Sequence, residues 1–270
     1  MQNPHWKQIF EDPVEKAERK PLYLNPEDFF TLLAKQGPSL GFWRAAEVAV
    51  LREQAYQPPI LDMGCGDALV SSLVLPKIDL GFDPDRAALE KAEQLGIHQN
   101  LEALPVEQAG LPTGSIRTVM SNSVLEHIPN LDEVLVEVGR FLALGGRLIF
   151  TAPTEAFSGW LTFPSQRYVR YRNRQFAHLN LWSLDQWEEH LQQAGLAVIE
   201  FRPYLRRRLV TFWDFLELMQ QVRISRTRLV GLIWRVLPPA VLRSLANMAA
   251  RVDLSAPEPG GGRLIVAEKA

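Results

Sequence analysis

Two apolar residues, an acid, and then two glycines spaced by one residue constrain this chain more than anything else in it. The run is Ile60-Leu61-Asp62-Met63-Gly64-Cys65-Gly66-Asp67-Ala68-Leu69. It reads as a buried strand, a tight turn and the first turn of a helix. Gly64 and Gly66 allow a sharp turn and let the backbone approach a ligand with no Cβ between them. The helix start adds unpaired N–H groups. These are the makings of a site for a nucleotide-like ligand, although the same glycine pair also serves dinucleotide enzymes and plain tight turns.

Gly81-Phe82-Asp83-Pro84 follows, at about the twenty-residue distance where the second strand of such a fold offers an acid to a ribose. The Asp83 carboxylate can accept from two neighbouring hydroxyls. Its alternative role is a helix N-cap with Pro84 at the first helical position, and the two roles are compatible. Strands are expected at 59–63, 78–82, 103–107, 117–122, 147–152 and 196–203, and helices at 67–75, 84–95, 131–143 and 184–194. Two further helices are expected earlier, at 26–35 and 41–54, the second stopped by Pro58-Pro59. Ser183 and Gln186 form a capping box for the helix at 184–194. Such alternation implies a parallel sheet with right-handed crossovers and a ligand at the carboxyl ends of its strands. Arg263–Ala267 alternates loosely and reads as a last, antiparallel strand.

Four segments together carry a family likeness. They are Ile60–Leu69, Gly81–Leu89, LPTGSIRTVMSNSVLEHI at 111–128 and EVGRFLALGGRLIFTAP at 137–153. On them the chain resembles the class I S-adenosylmethionine-dependent methyltransferases of the small-molecule type, over about residues 45 to 205. The resemblance implies an α/β, Rossmann-like, doubly wound sheet of seven strands, mostly parallel with an antiparallel last strand. A helical cap insertion is expected in addition. The implied cofactor is S-adenosyl-L-methionine. Gly64 and Gly66 would give it backbone approach, with Cys65 packing beside it rather than acting as a nucleophile. Asp62 would hold the amino group of its methionine tail, and Asp83 its ribose. Glu107, with Gln108 beside it, falls where the family places an acid against the adenine. Ser121, Asn122 and Ser123 would end the fourth strand under the methionine moiety, or simply cap that strand. Ala68, Arg117 and Ala143-Leu144 depart from the family pattern.

Methyl transfer needs alignment more than chemical groups; orientation alone can supply about 7–11 kcal/mol. A base is needed when the acceptor is a hydroxyl. His127 is one candidate catalytic residue, because histidine titrates near neutrality. It also has a plain reading as a packed loop histidine. His178, in the long stretch after the fifth strand, is the second candidate.

The chain divides into an N-terminal extension at 1–40, a core at 41–208 with an acceptor-side insertion at 154–182, a helical cap at 209–256 and the last strand in 257–270. The insertion is too long for an ordinary connection and too aromatic for disorder. The segment from Arg202 to Arg251 holds ten arginines against Asp214 and Glu217, in a chain whose net charge is −2. Leu229, Leu232, Ile233, Val236 and Leu237 lie at helical spacing between them. A basic amphipathic helix suits an anionic membrane surface or partner; an apolar stripe packed on the core, with solvated arginines outside, suits the same pattern.

A single cysteine excludes an internal disulfide and fits a reducing compartment, and the N-terminus has no signal-peptide pattern. A cytoplasmic protein is expected, with peripheral membrane contact through Arg202–Arg251. The acceptor class expected is a small or lipid-linked molecule. RNA modification is an alternative, favoured by the arginines interleaved with aromatics at 167–182. The overall charge and the lack of an RNA-binding module argue against nucleic acid. A non-catalytic binding protein on the same fold is the third reading.

Overall fold

The computed structural model describes residues 20–163, 165–221 and 236–270, and the backbone of 223–224 and 227–228. Seven strands form one sheet: β1 (Ile60–Met63), β2 (Ile78–Phe82), β3 (His98–Glu102), β4 (Ile116–Asn122), β5 (Leu142–Pro153), β6 (Leu196–Tyr204) and β9 (Gly262–Lys269). Arg223–Ile224 (β7) and Thr227–Arg228 (β8) pair as a separate small ribbon. The sheet order is β3-β2-β1-β4-β5-β9-β6. Pairing is parallel from β3 through β5, and β9 runs antiparallel between β5 and β6. The strand order reverses beside β1, so the carboxyl ends of β1 and β4 flank a natural crevice.

Side chains alternate across the sheet. Leu61 and Met63 of β1, Val119 of β4 and Phe150 of β5 face α5 (Leu131–Phe141) and α7 (Leu184–Gln193). Ile60, Met120, Ile149 and Val266 face the other layer, built from α1 (Pro26–Gln36), α2 (Pro38–Leu51) and α3 (Leu69–Val74). With both faces covered, the central strands are apolar almost throughout, as a parallel sheet requires. The capping box at Ser183 and Gln186 is present on α7.

Several boundaries differ from expectation. The third strand lies at His98–Glu102, not at 103–107. Gly81 explains it: a Cβ there would lie 2.7 Å from Leu101 Cδ2 and 2.8 Å from His98 Cδ2. The missing side chain lets β3 pack against β2 at these residues. Pro105 then leads into a 3-10 turn at Val106–Gln108. Helix α4 runs Arg86–Leu95 and is capped by Asp85, whose carboxylate accepts from Ala87 N and Ala88 N. Asp83 is therefore not the N-cap. Within the N-terminal extension, residues 20–40 pack into the core. Leu22, Leu24, Phe29, Leu32 and Leu33 are buried in the same core as α2. Asn25 caps α1 by accepting from Glu27 N and Asp28 N.

Two non-core segments add helices beyond the layers that cover the sheet. The first contains α6 (Gln166–Phe176); the second contains α8 (Arg207–Gln221) and α9 (Pro239–Ala249). A fully buried ion pair joins them. Arg172 Nε donates to Asp214 Oδ1 at 2.9 Å, while Thr162 N and the Tyr168 hydroxyl donate to Asp214 Oδ2 at 2.8 and 2.7 Å. The Arg172 guanidinium also lies over the Phe176 ring, 4.4 Å from its centroid. Removing one partner of such a pair strands the other charge away from water. Asp214→Ala should cost about 3–5 kcal/mol of stability in urea denaturation. An apolar replacement of both Arg172 and Asp214 should recover most of that loss.

Candidate active site

The glycine turn adopts the conformation that its residues permit. Gly64 and Gly66 have φ of +73° and +52°. The N–H groups of Gly64 and Cys65 both donate to Phe82 O, at 2.8 and 3.1 Å, which ties the turn to the end of β2. Gly66 N donates to Asp83 Oδ2 at 2.8 Å, and Asp85 N donates to Oδ1 at 2.8 Å. Each Asp83 oxygen has one bond to the backbone and keeps further acceptor capacity. A cleft of about 590 Å³ opens here, at the carboxyl ends of β1, β2 and β4. Met63, Gly64, Phe82, Asp83, Glu107, Asn122, Ser123 and His127 are among the residues lining it.

A second pocket of about 290 Å³ adjoins the cleft, and both are lined by Arg44, Ser123 and His127. Its other walls include Trp43 from α2, Glu126, Phe157, Phe176, His178 and Trp213 from α8. Four of these aromatic rings pack together. Phe157 meets Trp43, Trp213 and Phe176 with centroids 5.5, 5.4 and 6.1 Å apart.

Where cleft and pocket meet, the geometry is fixed by Glu47 of α2, a fully buried residue. Its carboxylate accepts from Trp43 Nε1 at 2.7 Å, Arg44 NH1 at 2.8 Å, Asn122 Nδ2 at 3.0 Å and the Ser123 hydroxyl. Four donors saturate an ionised carboxylate. Asn122 is further held by Thr151, whose hydroxyl donates to its Oδ1 at 2.8 Å. Ser123 sits at φ +50°, and its N–H donates to Thr151 O at 3.1 Å. A left-handed serine of this kind persists only where its surroundings hold it.

Glu126 and His127 lie on a 3-10 turn after β4. Burial pushes the Glu126 carboxyl up to about 8, with the charge of Glu47 adding to the effect and Arg44 opposing it. The backbone oxygen of Glu126 accepts from Leu179 N at 2.7 Å and Asn180 N at 3.1 Å. Asn180 Nδ2 bonds Leu125 O and Ile128 O, both at 2.8 Å. The turn is thus fastened to the segment after α6. His127 Nδ1 lies 3.1 Å from Ala177 O, and its ring centroid is 5.4 Å from that of His178. Burial, then the neighbouring His127, lowers His178 to about 3, so its ring is neutral.

The sequence-predicted residues divide. Gly64, Asp83, Glu107 and Asn122 line the cleft, His127 lines both spaces, and His178 lines the pocket. Gly66 supports Asp83 through its N–H. Asp62 is not part of the lining: it is buried in the sheet, with Oδ2 3.0 Å from His98 Nε2. Ser121 is also buried, its hydroxyl donating to Met63 O. Cys65 is buried outside the lining, and its thiol is pushed up by burial and by Asp62 and Asp83. Gln108 is exposed on the 3-10 turn, outside the lining. Trp43, Arg44, Glu47 and Trp213 were not foreseen. Arg44 and Glu47 read locally as charges on an ordinary helix, and only tertiary packing shows their role.

An α/β fold with a glycine turn, an acid after the second strand and an adjoining enclosed pocket defines a nucleotide-cofactor protein with room for a second reactant. A family model for the methyltransferase domain matches residues 33–201, and the chain belongs to that family. It is 27% identical over 161 residues to the malonyl-[acyl-carrier protein] O-methyltransferase of Paenibacillus, covering 55% of this chain and 58% of that one. It is 25% identical over 113 residues to the ubiquinone biosynthesis O-methyltransferase of Colwellia psychrerythraea, covering 39% of this chain and 46% of that one. The chain thus spans about half the length of these curated relatives. Among solved structures, the geranyl diphosphate C-methyltransferase of Streptomyces coelicolor superposes with a TM-score of 0.56 at 15% identity, over 99% of this chain and 98% of that one. A SAM-dependent methyltransferase of Thermotoga maritima does so at 0.57 and 13%, over 90% and 100%.

The cleft suits S-adenosylmethionine, the cofactor of this family. Its volume and the spare acceptor capacity of Asp83 fit that molecule, and Gly64 lies in the lining. A Cβ on Gly64 would lie 2.5 Å from Val124 Cγ2, in a region of φ that side chains avoid. Gly64→Val should therefore abolish S-adenosylmethionine binding in calorimetry. Asp83→Ala should weaken it by roughly 1.5–3 kcal/mol, the range for hydrogen bonds to a charged group.

Proposed function

We propose that this protein methylates an oxygen atom of a small or lipid-linked acceptor. The observation that carries the reading is the junction of cleft and pocket at Arg44, Ser123 and His127. Bound in the cleft, S-adenosylmethionine would supply an activated methyl group; the C–S bonding pair would stay on sulfur as the acceptor oxygen bonds the methyl carbon, and the hydroxyl proton would pass by way of His127 to solvent. The chain's own task is positioning. Asp83 and Glu107 hold one end of the cofactor, and Asn122 and Ser123, fixed by Glu47, set the other. Trp43, Phe157, Phe176 and Trp213 exclude water around the acceptor. Glu126, His127 and His178 form the wall that activates its oxygen. The O-methyltransferases among the relatives support an oxygen acceptor.

The test is transfer of labelled methyl from S-adenosylmethionine into cell fractions. Label is expected in the small-molecule or lipid fraction and in O-methyl linkages. Label in RNA, or in no fraction, overturns the proposal.

The cap supports a lipid-linked acceptor and contact with an anionic membrane surface. Among the described residues, no helix is long and apolar enough to cross a membrane. An apolar groove of about 380 Å³ runs between α1, α2, α8 and α9, lined by Phe29, Phe42, Phe212, Leu216 and Met248 among others. Phe212, Phe215 and Met248 are exposed. The arginines of this region are not uniformly free. Arg202 pairs with Glu53, Arg206 with Asp253 and Arg243 with Glu27. Arg207, Arg208 and Arg251 are exposed. Leu229, Leu232 and Ile233 of the expected stripe lie outside the described residues; Val236 is exposed. Flotation with anionic liposomes should carry the protein upward at low salt. Arg207→Gln with Arg208→Gln should weaken binding by about 1 kcal/mol per arginine and leave cofactor affinity unchanged.

A further inference from the structure

Three metal-ligating side chains converge on the acceptor pocket. One donor atom from each of Glu126, His127 and His178 lies within 4.8 Å of the others. Positioning an acceptor oxygen does not by itself require two imidazoles and a carboxylate at one point, so how this wall would activate that oxygen calls for its own explanation.

Three observations point to a ligand held between them. Glu126 is 1% exposed, yet its Oε2 has no hydrogen-bond partner among the described residues. His178 Nδ1 is likewise buried and without one. Such groups are costly to bury unless something satisfies them. His127, by contrast, has Nδ1 on Ala177 O, and its Nε2 lies 3.7 Å from Glu126 Oε1, within ion-pair range but longer than a hydrogen bond. A second ring nitrogen anchored on a backbone carbonyl is the usual outer support of a metal-bound histidine. The carriers are also locked together. The backbone of Glu126 is bonded to Leu179 and Asn180, and Asn180 clamps Leu125 and Ile128.

We propose that Glu126, His127 and His178 bind a divalent transition-metal ion of the zinc or iron(II) class at the wall of the acceptor pocket. Two imidazoles and one carboxylate favour these ions over magnesium or calcium, which prefer oxygen ligands. Bonds of about 2.0–2.2 Å would draw the three donors inward by about 1 Å, within the reach of side-chain rotation. The pocket borders all three ligands, so the remaining coordination positions face the acceptor. The inference rests on the methyltransferase reading for what the ion does there. A coordinated acceptor hydroxyl releases its proton to solvent, the metal keeps its oxidation state, and the oxygen is held as the nucleophile.

The probe is cobalt(II), added to full-length protein purified in chelator. One ion per chain should bind, with the visible d–d absorption of a site of low coordination number, and zinc should displace it. Glu126→Gln and His178→Ala should each weaken binding by roughly tenfold or more. His127→Ala, at an exposed residue, gives the same reading if loss of a buried ligand unfolds the chain. His190→Ala, on the surface of α7, should leave the spectrum unchanged. Absence of d–d absorption, or a spectrum indifferent to all three ligand variants, overturns the proposal. Calorimetry with S-adenosylmethionine on the same samples separates the two readings. Cofactor binding without metal binding sinks this site alone, whereas no cofactor binding strikes at the methyltransferase reading.

Discussion

A carboxylate taken out of water must be surrounded by donors, and Glu47 organises the site through that requirement. Its four partners come from two places in the chain, α2 and the end of β4. Asn122 and Ser123 are fixed only because α2 lies where it does, and α2 lies there because Phe42, Ala46 and Val50 are buried in the core. The cleft and the adjoining pocket thus share a single polar anchor. An error in its placement would be transmitted to both.

The cap solves a related problem. A lid built from two separate insertions needs a reason to stay together, and apolar packing alone would let them slide. The Arg172–Asp214 pair supplies direction, since its bonds have fixed geometry while the aromatic contacts around it do not. The other tether runs from Leu179 and Asn180 to the turn at Glu126. One fastening joins the lid to itself; the other joins it to the sheet.

Legibility in the sequence followed the range of the forces involved. The glycine turn, the central strands and the capping box of α7 are decided by neighbours in the chain, and Gly64, Asp83 and the order of elements were readable for that reason. β3 was misplaced because His98-Gln99-Asn100 looks polar; it is an edge strand whose placement depends on the bare Gly81 of β2. The same distant pairing took Asp62 out of the cleft, since its partner His98 lies on β3. Glu47 sits in a largely apolar helix beside Arg44 and looks like a surface charge until β4 is placed beside it. His127 and His178 were each readable as candidates, but their adjacency to each other and to Glu126 belongs to the tertiary fold.

Consecutive residues on a helix point about 100° apart. α2 places Trp43 in the acceptor pocket and its neighbour Phe42 in the apolar groove; α8 does the same with Trp213 and Phe212. Both helices therefore act as partitions with an aromatic ring on either side. A rotation of α8 about its own axis cannot widen one compartment without reshaping the other.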